Sequence, residues 1–74
     1  MNNIQKRVQK DISNRLTDYA IVHDIKINDL MNEYHYNLYQ LKLQTHNYHK
    51  RYTRLMYDSY KKVVDRNTNK MVIF

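Results

Sequence analysis

The 74-residue chain contains no glycine, no proline, no cysteine and no tryptophan. At average usage about nine glycines and prolines would be expected. Without proline, nothing in the sequence interrupts a helix. Without glycine, any turn that needs a positive φ must fall on Asn, Asp or His. The chain therefore reads as helices joined by short Asn/Asp/His turns. The same absence removes the glycine-rich loops that cradle phosphate in Walker-type and dinucleotide-binding motifs. The lack of cysteine excludes disulfides and thiolate zinc sites. No apolar run approaches a membrane span, and no apolar segment follows the basic start at Met1–Arg7. These features predict a soluble protein of the cytoplasm, bacterial or of a phage's host cell, with no membrane partner.

Catalytic constellations are missing too. The sequence holds no nucleophile beside a partnered base and no carboxylate pair with a plausible cleft, and it is short for enclosing a substrate. The expectation is a protein that is not an enzyme and carries no cofactor. His46 and His49 stand three apart, but no carboxylate or thiol shares their turn, so no metal site is expected there. Histidines at such positions are better explained as substitutes for glycine.

What the chain does have is a lopsided charge. Residues 1–35 carry five basic and five acidic side chains. Residues 36–74 carry eight basic side chains against Asp58 and Asp65, which accounts for the whole net charge of +6. Seven of the eight tyrosines (Tyr34, Tyr36, Tyr39, Tyr48, Tyr52, Tyr57 and Tyr60) are threaded through this second half or sit at its edge. Basic groups with interleaved rings attract a polyanion surface, because charge finds phosphate while rings and hydroxyls pack beside it. The same composition also suits a protein-binding surface, since exposed tyrosines give large contact area at low entropic loss.

Apolar spacing supplies the helices. Ile4, Val8, Ile12 and Leu16 recur every four residues and Tyr19 and Ala20 continue the face, predicting a helix over 3–22 capped by Asn2 or Asn3 and broken at His23-Asp24. Ile25 and Ile27 read as a linker that plugs the core. Asn28 can cap a short helix over 28–35, with Leu30, Met31 and Tyr34 inward. Asn37 followed by Gln40 has the layout of a capping box and predicts a new helix over 37–46, with Leu38 and Leu41 inward. A last helix is expected over 48–65, with Tyr52, Leu55, Met56, Tyr60 and Val63 on one stripe. Arg66–Lys70 reads as a polar turn, and Met71–Phe74 as an apolar tail that docks on the core or on a second subunit.

A rival parsing follows the 4-3-4-3 spacing of Ile27, Met31, Tyr34, Leu38, Leu41, Thr45, Tyr48, Tyr52, Leu55 and Ser59. That pattern is a heptad seam, and it would make residues 28–65 one helix in a hairpin that dimerises as a coiled-coil bundle. A chain this short buries little surface alone, so regular helices and self-association are its expected sources of stability, and a homodimer is expected on either parsing.

The stretch from Ile27 to Lys42 resembles the Cro/repressor-like (XRE-type) helix-turn-helix family over about residues 27–45. Leu30 and Met31 stand at its Leu-Ala pair, Tyr34 at the apolar end of the first helix and Tyr36 at the apolar residue after the turn. Asn37 stands at the capping serine, and Leu41 at the buried aliphatic of the recognition helix. His35 replaces the usual turn glycine, and Gln44 replaces a second buried apolar residue. The whole chain is expected to form one all-α domain, a bundle of three to four helices, and the resemblance implies a helix-turn-helix-like centre. It also implies duplex DNA as the partner and regulation of transcription as the role. Asn37, Tyr39, Gln40 and Gln44 would then face base edges or phosphates, with Lys42, Lys50, Arg51 and Arg54 near the backbone. On the last helix Lys50, Arg54 and Lys61 share a side from which phosphate contacts are expected.

Small size and Asn/Lys/Ile/Tyr richness give the chain the look of a phage or mobile-element protein. The alternative function is a non-enzymatic inhibitor that binds a host nucleic-acid enzyme, in the manner of anti-CRISPR proteins.

Overall fold

A computed structural model describes residues 2–71. Its helices are α1 (Asn3–His23), α2 (Ile27–Gln44) and α3 (Tyr52–Met71), with a 3₁₀ turn at Tyr48–Arg51 leading into α3. No strand occurs among the described residues. The protein is thus a small all-α bundle.

α1 forms where the four-residue apolar spacing places it. The Asn2 side chain accepts a hydrogen bond from the Gln5 amide at 2.8 Å and so satisfies one of the orphan donors of the first turn. The helix stops at Asp24, which takes the left-handed conformation at φ 53°. The Ile25 amide reaches back to the Ala20 carbonyl at 2.9 Å and the Asp24 amide to that of Ile21 at 3.4 Å. This is a Schellman closure, in which Ile25 packs against the core beside Ala20. A position that usually takes glycine is held here by Asp, as a glycine-free chain requires.

α2 corrects the sequence reading. The segments expected as separate helices over 28–35 and 37–46 are one continuous helix, and residues 34–37 do not turn. The physical reason lies in the packing. Leu30, Tyr34 and Leu38 are four apart and all are buried. A break between them would pull Leu38 off the stripe, and His35 would have to replace a turn glycine at a steric penalty. Asn28 does not cap this helix. The N-cap is Lys26, without a side-chain bond.

The chain does break at 45–47, which removes the single-helix parsing of 28–65. Thr45 is extended, and Asn47 is left-handed at φ 55°. These two residues turn the chain through a hairpin into the 3₁₀ turn. α3 then runs past the expected end at 65, through the supposed polar turn at 66–70. Tertiary bonds hold that extension. Arg66 pairs with Glu33 of α2, and the Tyr19 hydroxyl shares a 2.8 Å hydrogen bond with Thr68. Within the helix, the Asn67 side-chain amide donates to the Val63 carbonyl one turn back at 2.8 Å. The apolar tail at 71–74 lies outside the described residues, apart from the backbone of Met71.

Cross-helix pairs fix the directions. Asp11 meets Tyr57 and Tyr19 meets Thr68, so α1 and α3 run parallel. Glu33 meets Arg66 and Lys42 lies over Tyr52, so α2 runs antiparallel to α3. The up-down-up bundle spans 41 × 24 × 15 Å. Its core is Ile12, Leu16 and Ala20 from α1, Leu30, Tyr34 and Leu38 from α2, and Leu55, Met56 and Val63 from α3. Ser59 is fully buried among them and donates its hydroxyl to the Leu55 carbonyl one turn back. No described helix is long and apolar enough to cross a membrane.

Candidate nucleic-acid interface

Folding rearranges the charge. Because α1 and α3 run parallel and α2 returns between them, residues 2–11 share one end of the bundle with residues 40–57. That end carries Lys6, Arg7, Lys10, Lys42, Lys50, Arg51 and Arg54 against Asp11, with the exposed Asp58 at its margin, one residue beyond Tyr57. The remaining segments carry six basic and six acidic residues. The whole net charge of +6 therefore lies at one end of a 41 Å particle.

Asp11 is not free. The Tyr57 hydroxyl donates to Asp11 at 2.8 Å, and the Arg15 guanidinium pairs with it at 3.0 Å. The Tyr57 bond and the neighbouring Arg15 hold the Asp11 carboxyl below its usual range. The same bond to Asp11 pushes the Tyr57 phenol up.

Lys42 is half-buried in the last full turn of α2, where its charge also suits the carbonyl end of the helix. Its ammonium lies 4.7 Å from the Tyr52 ring centroid and 5.8 Å from that of Tyr48, a cation–π arrangement across the α2–α3 hairpin. Gln44, Lys50, Arg51 and Arg54 are all exposed. Gln44, Lys50 and Arg51 line a shallow polar depression at the hairpin together with Thr45, His46 and Asn47.

A second hollow, of about 200 Å³, opens between the helices at the same end. Leu38 and Met56, both buried, give it an apolar lining. Tyr34, Tyr39 and Tyr52 add rings, and Gln9 and Lys42 add polar groups. Tyr34 is only 2% exposed, and its hydroxyl has no hydrogen-bond partner among the described residues. Burial, with the Tyr52 phenol nearby, pushes its pKa up to about 12.

The residues singled out in the sequence separate in the fold. Tyr39, Lys42, Gln44, Lys50, Arg51 and Arg54 gather at the basic end. Asn37 and Gln40 lie within α2 rather than at the start of a recognition helix, because no helix begins at 37. Lys61 is exposed but lies seven residues beyond Arg54, about 10 Å further along α3 toward the neutral end.

Sequence reasoning missed Lys6, Arg7 and Lys10, because residues 1–35 sum to zero and nothing local reveals that α1 lies parallel to α3. It also missed Gln9 and the Tyr34 hydroxyl, which become neighbours of Tyr52 only through tertiary packing. Among the described residues, no group of three or more His, Asp or Glu side chains is placed to hold a metal. No family model, curated protein or solved structure matches the chain.

Proposed function

We propose that the protein is a non-enzymatic nucleic-acid-binding factor that grips a phosphate backbone with the basic end of its bundle, duplex DNA being the first candidate. The observation that carries this reading is the collection of seven basic groups from all three helices and the 3₁₀ turn at one end. Asp11, the carboxylate set among them, is occupied by Tyr57 and Arg15, and Asp58 lies at the margin of the cluster. Such an end presents a concentrated field to a polyanion and steers its approach. The uninterrupted α2 leaves no separate recognition helix, so the expected contacts are to phosphates. They position the protein without reading sequence. A regulatory or architectural role on DNA fits that mode.

The test is a fluorescence-anisotropy titration against a random duplex at several salt concentrations. A log–log slope of about −0.9 per neutralised phosphate is expected, with about four or more phosphates engaged. Replacing Arg51 and Arg54 by Ala shallows that slope while leaving the helical circular-dichroism signal intact. Absence of binding at low salt removes the reading.

A second reading draws on a different observation. Tyr36, Tyr39 and Leu43 form an exposed stripe along the outer face of α2, each more than half exposed. Large apolar side chains in a row suit a protein partner. The inhibitor of a host nucleic-acid enzyme uses this stripe, and so does the homodimer expected from the sequence. Sedimentation at two concentrations and capture of a nuclease or polymerase at physiological salt separate those cases from DNA binding.

A further inference from the structure

The hollow between the helices has features that phosphate contacts do not use. At about 200 Å³ it is smaller than the roughly 300–1,000 Å³ of an ordinary small-molecule site, so it suits one planar ring rather than an extended ligand. Two of its lining side chains, Leu38 and Met56, are apolar and buried. The Tyr34 hydroxyl beside them is shielded from solvent and unpaired, although a phenylalanine would fill the same space without an orphan polar atom. The Tyr39 ring is 58% exposed and able to stack, and the Gln9 amide supplies both a donor and an acceptor. Lys42 joins this hollow to the basic end. An apolar slot, a stacking ring, an unpaired hydroxyl and an adjacent cation are what a nucleotide asks for when its base is out of the duplex.

We infer that this cleft receives a single unpaired nucleobase. The ligand preferred by the protein is then a single strand, or a duplex opened at one position. The inference rests on the nucleic-acid reading above and deepens it. In the complex the phosphate of the nucleotide draws the Lys42 ammonium off the Tyr52 ring, the base face lies on Tyr39, and entry of the base uncovers the Tyr34 hydroxyl, shielded in the free protein, for a bond to the base edge. The surrounding arginines hold the flanking phosphates.

The test uses the full chain and two labelled probes in the same buffer, a thymidine 20-mer and a 20-base-pair duplex. Stacking and one base-edge bond predict an affinity for the single strand about tenfold above that for the duplex, against the duplex's higher charge density. Tyr34→Phe lowers single-strand affinity about three- to tenfold and leaves duplex affinity unchanged. Removing Arg51 and Arg54 weakens both probes. In the wild type, thymidine monophosphate shifts the NMR signals of the Met56 methyl and the Tyr34 ring.

If Tyr34→Phe matches the wild type on both probes and the nucleotide shifts neither signal, the cleft proposal is overturned while salt-dependent binding keeps the phosphate reading. If neither probe binds at low salt, both readings fall together.

Discussion

The Tyr57 hydroxyl donates to the Asp11 carboxylate at 2.8 Å, a bond that ties α3 to α1 across 46 positions of sequence. It joins the neutral half of the chain to the basic half and occupies the acidic group set among the basic side chains. Asp11 is held below the usual carboxylate range first by this bond and then by Arg15. A depressed folded value stabilises the fold above the ordinary Asp range, and that contribution is lost as pH falls through the folded value. Tyr57→Phe is expected to return the Asp11 value toward normal and to flatten the acid limb of the stability curve. An NMR titration of the Asp11 side chain checks it, and an unmoved value in the variant contradicts the bond.

Tyr34 acts at the opposite end of the pH scale. Its folded pKa of about 12 lies above the ordinary phenol value of 10, because burial disfavours the phenolate. The stabilisation is therefore fully present below pH 10 and disappears as pH rises through 12. Tyr57, raised by Asp11, adds to the same trend. Tyr34→Phe is expected to keep the fold, to gain up to about 1 kcal/mol at neutral pH by removing an unpartnered hydroxyl, and to soften the alkaline loss. Urea unfolding at about pH 7 and about pH 11 measures both effects. A drop of several kcal/mol at neutral pH would show that the hydroxyl has a partner.

Asn47 carries the hairpin between α2 and the 3₁₀ turn at φ 55°. A Cβ-bearing residue there is strained by about 1–2 kcal/mol, less for Asn. Asn47→Ala is expected to lower stability by about 1 kcal/mol, a shift of some 4–8 °C in melting temperature for a chain of roughly this size. Asn47→Gly is expected to match or exceed the wild type. Equal melting temperatures for Ala and Gly would place the turn elsewhere.

Leu16 is fully buried at the centre of α1. Leu16→Ala removes apolar packing and leaves a cavity, at about 2–5 kcal/mol. Native stability at roughly 0.05–0.15 kcal/mol per residue totals only about 4–11 kcal/mol here, so the variant is expected to be partly unfolded at about 37 °C. Circular dichroism in the far ultraviolet reads this directly. The surface change Ile21→Ala, at a residue 74% exposed, is the control and is expected to stay within about 0.5 kcal/mol.

Lys6, Arg7 and Lys10 lie in the half of the chain that is neutral by sequence. On the proposed nucleic-acid reading, changing the three to Gln is expected to weaken duplex binding as much as changing Arg51 and Arg54. The salt slope is expected to become shallower by up to about 0.9 for each phosphate no longer neutralised. Lys61→Gln is expected to have the smaller effect. If Lys61 matters and the α1 group does not, the polyanion lies along α3 instead of across the basic end.

The helical class of this protein was legible because missing residues restrict the backbone as firmly as present ones. With no glycine or proline, α1 could be located from Ile4, Val8, Ile12 and Leu16, and the left-handed turns had to fall on residues such as Asp24 and Asn47. Tyr34, Tyr52 and Tyr60 could also be placed inward from their stripes. Tyr34, Tyr48, Tyr52 and Tyr60 are buried or half-buried, while Tyr36, Tyr39 and Tyr57 are exposed.

The boundaries of α1 were legible; those of α2 and α3 were not, for a common reason. Asn37–Gln40 is a sound capping box and Arg66–Lys70 is polar enough for a turn, yet both stretches are helical. Local capping signals are worth about 1 kcal/mol, and the joint burial of Tyr34 and Leu38 outweighs that. In α3 the bonds from Glu33 and Tyr19 hold a segment that local propensity would release. The charge pattern shows the same division. Composition determined a net charge of +6, but the parallel pairing of α1 with α3 decided that it gathers at one end. Lys6 and Arg54 come to the same end of the bundle only because Asp11 and Tyr57, 46 positions apart, meet in the packed core's rim.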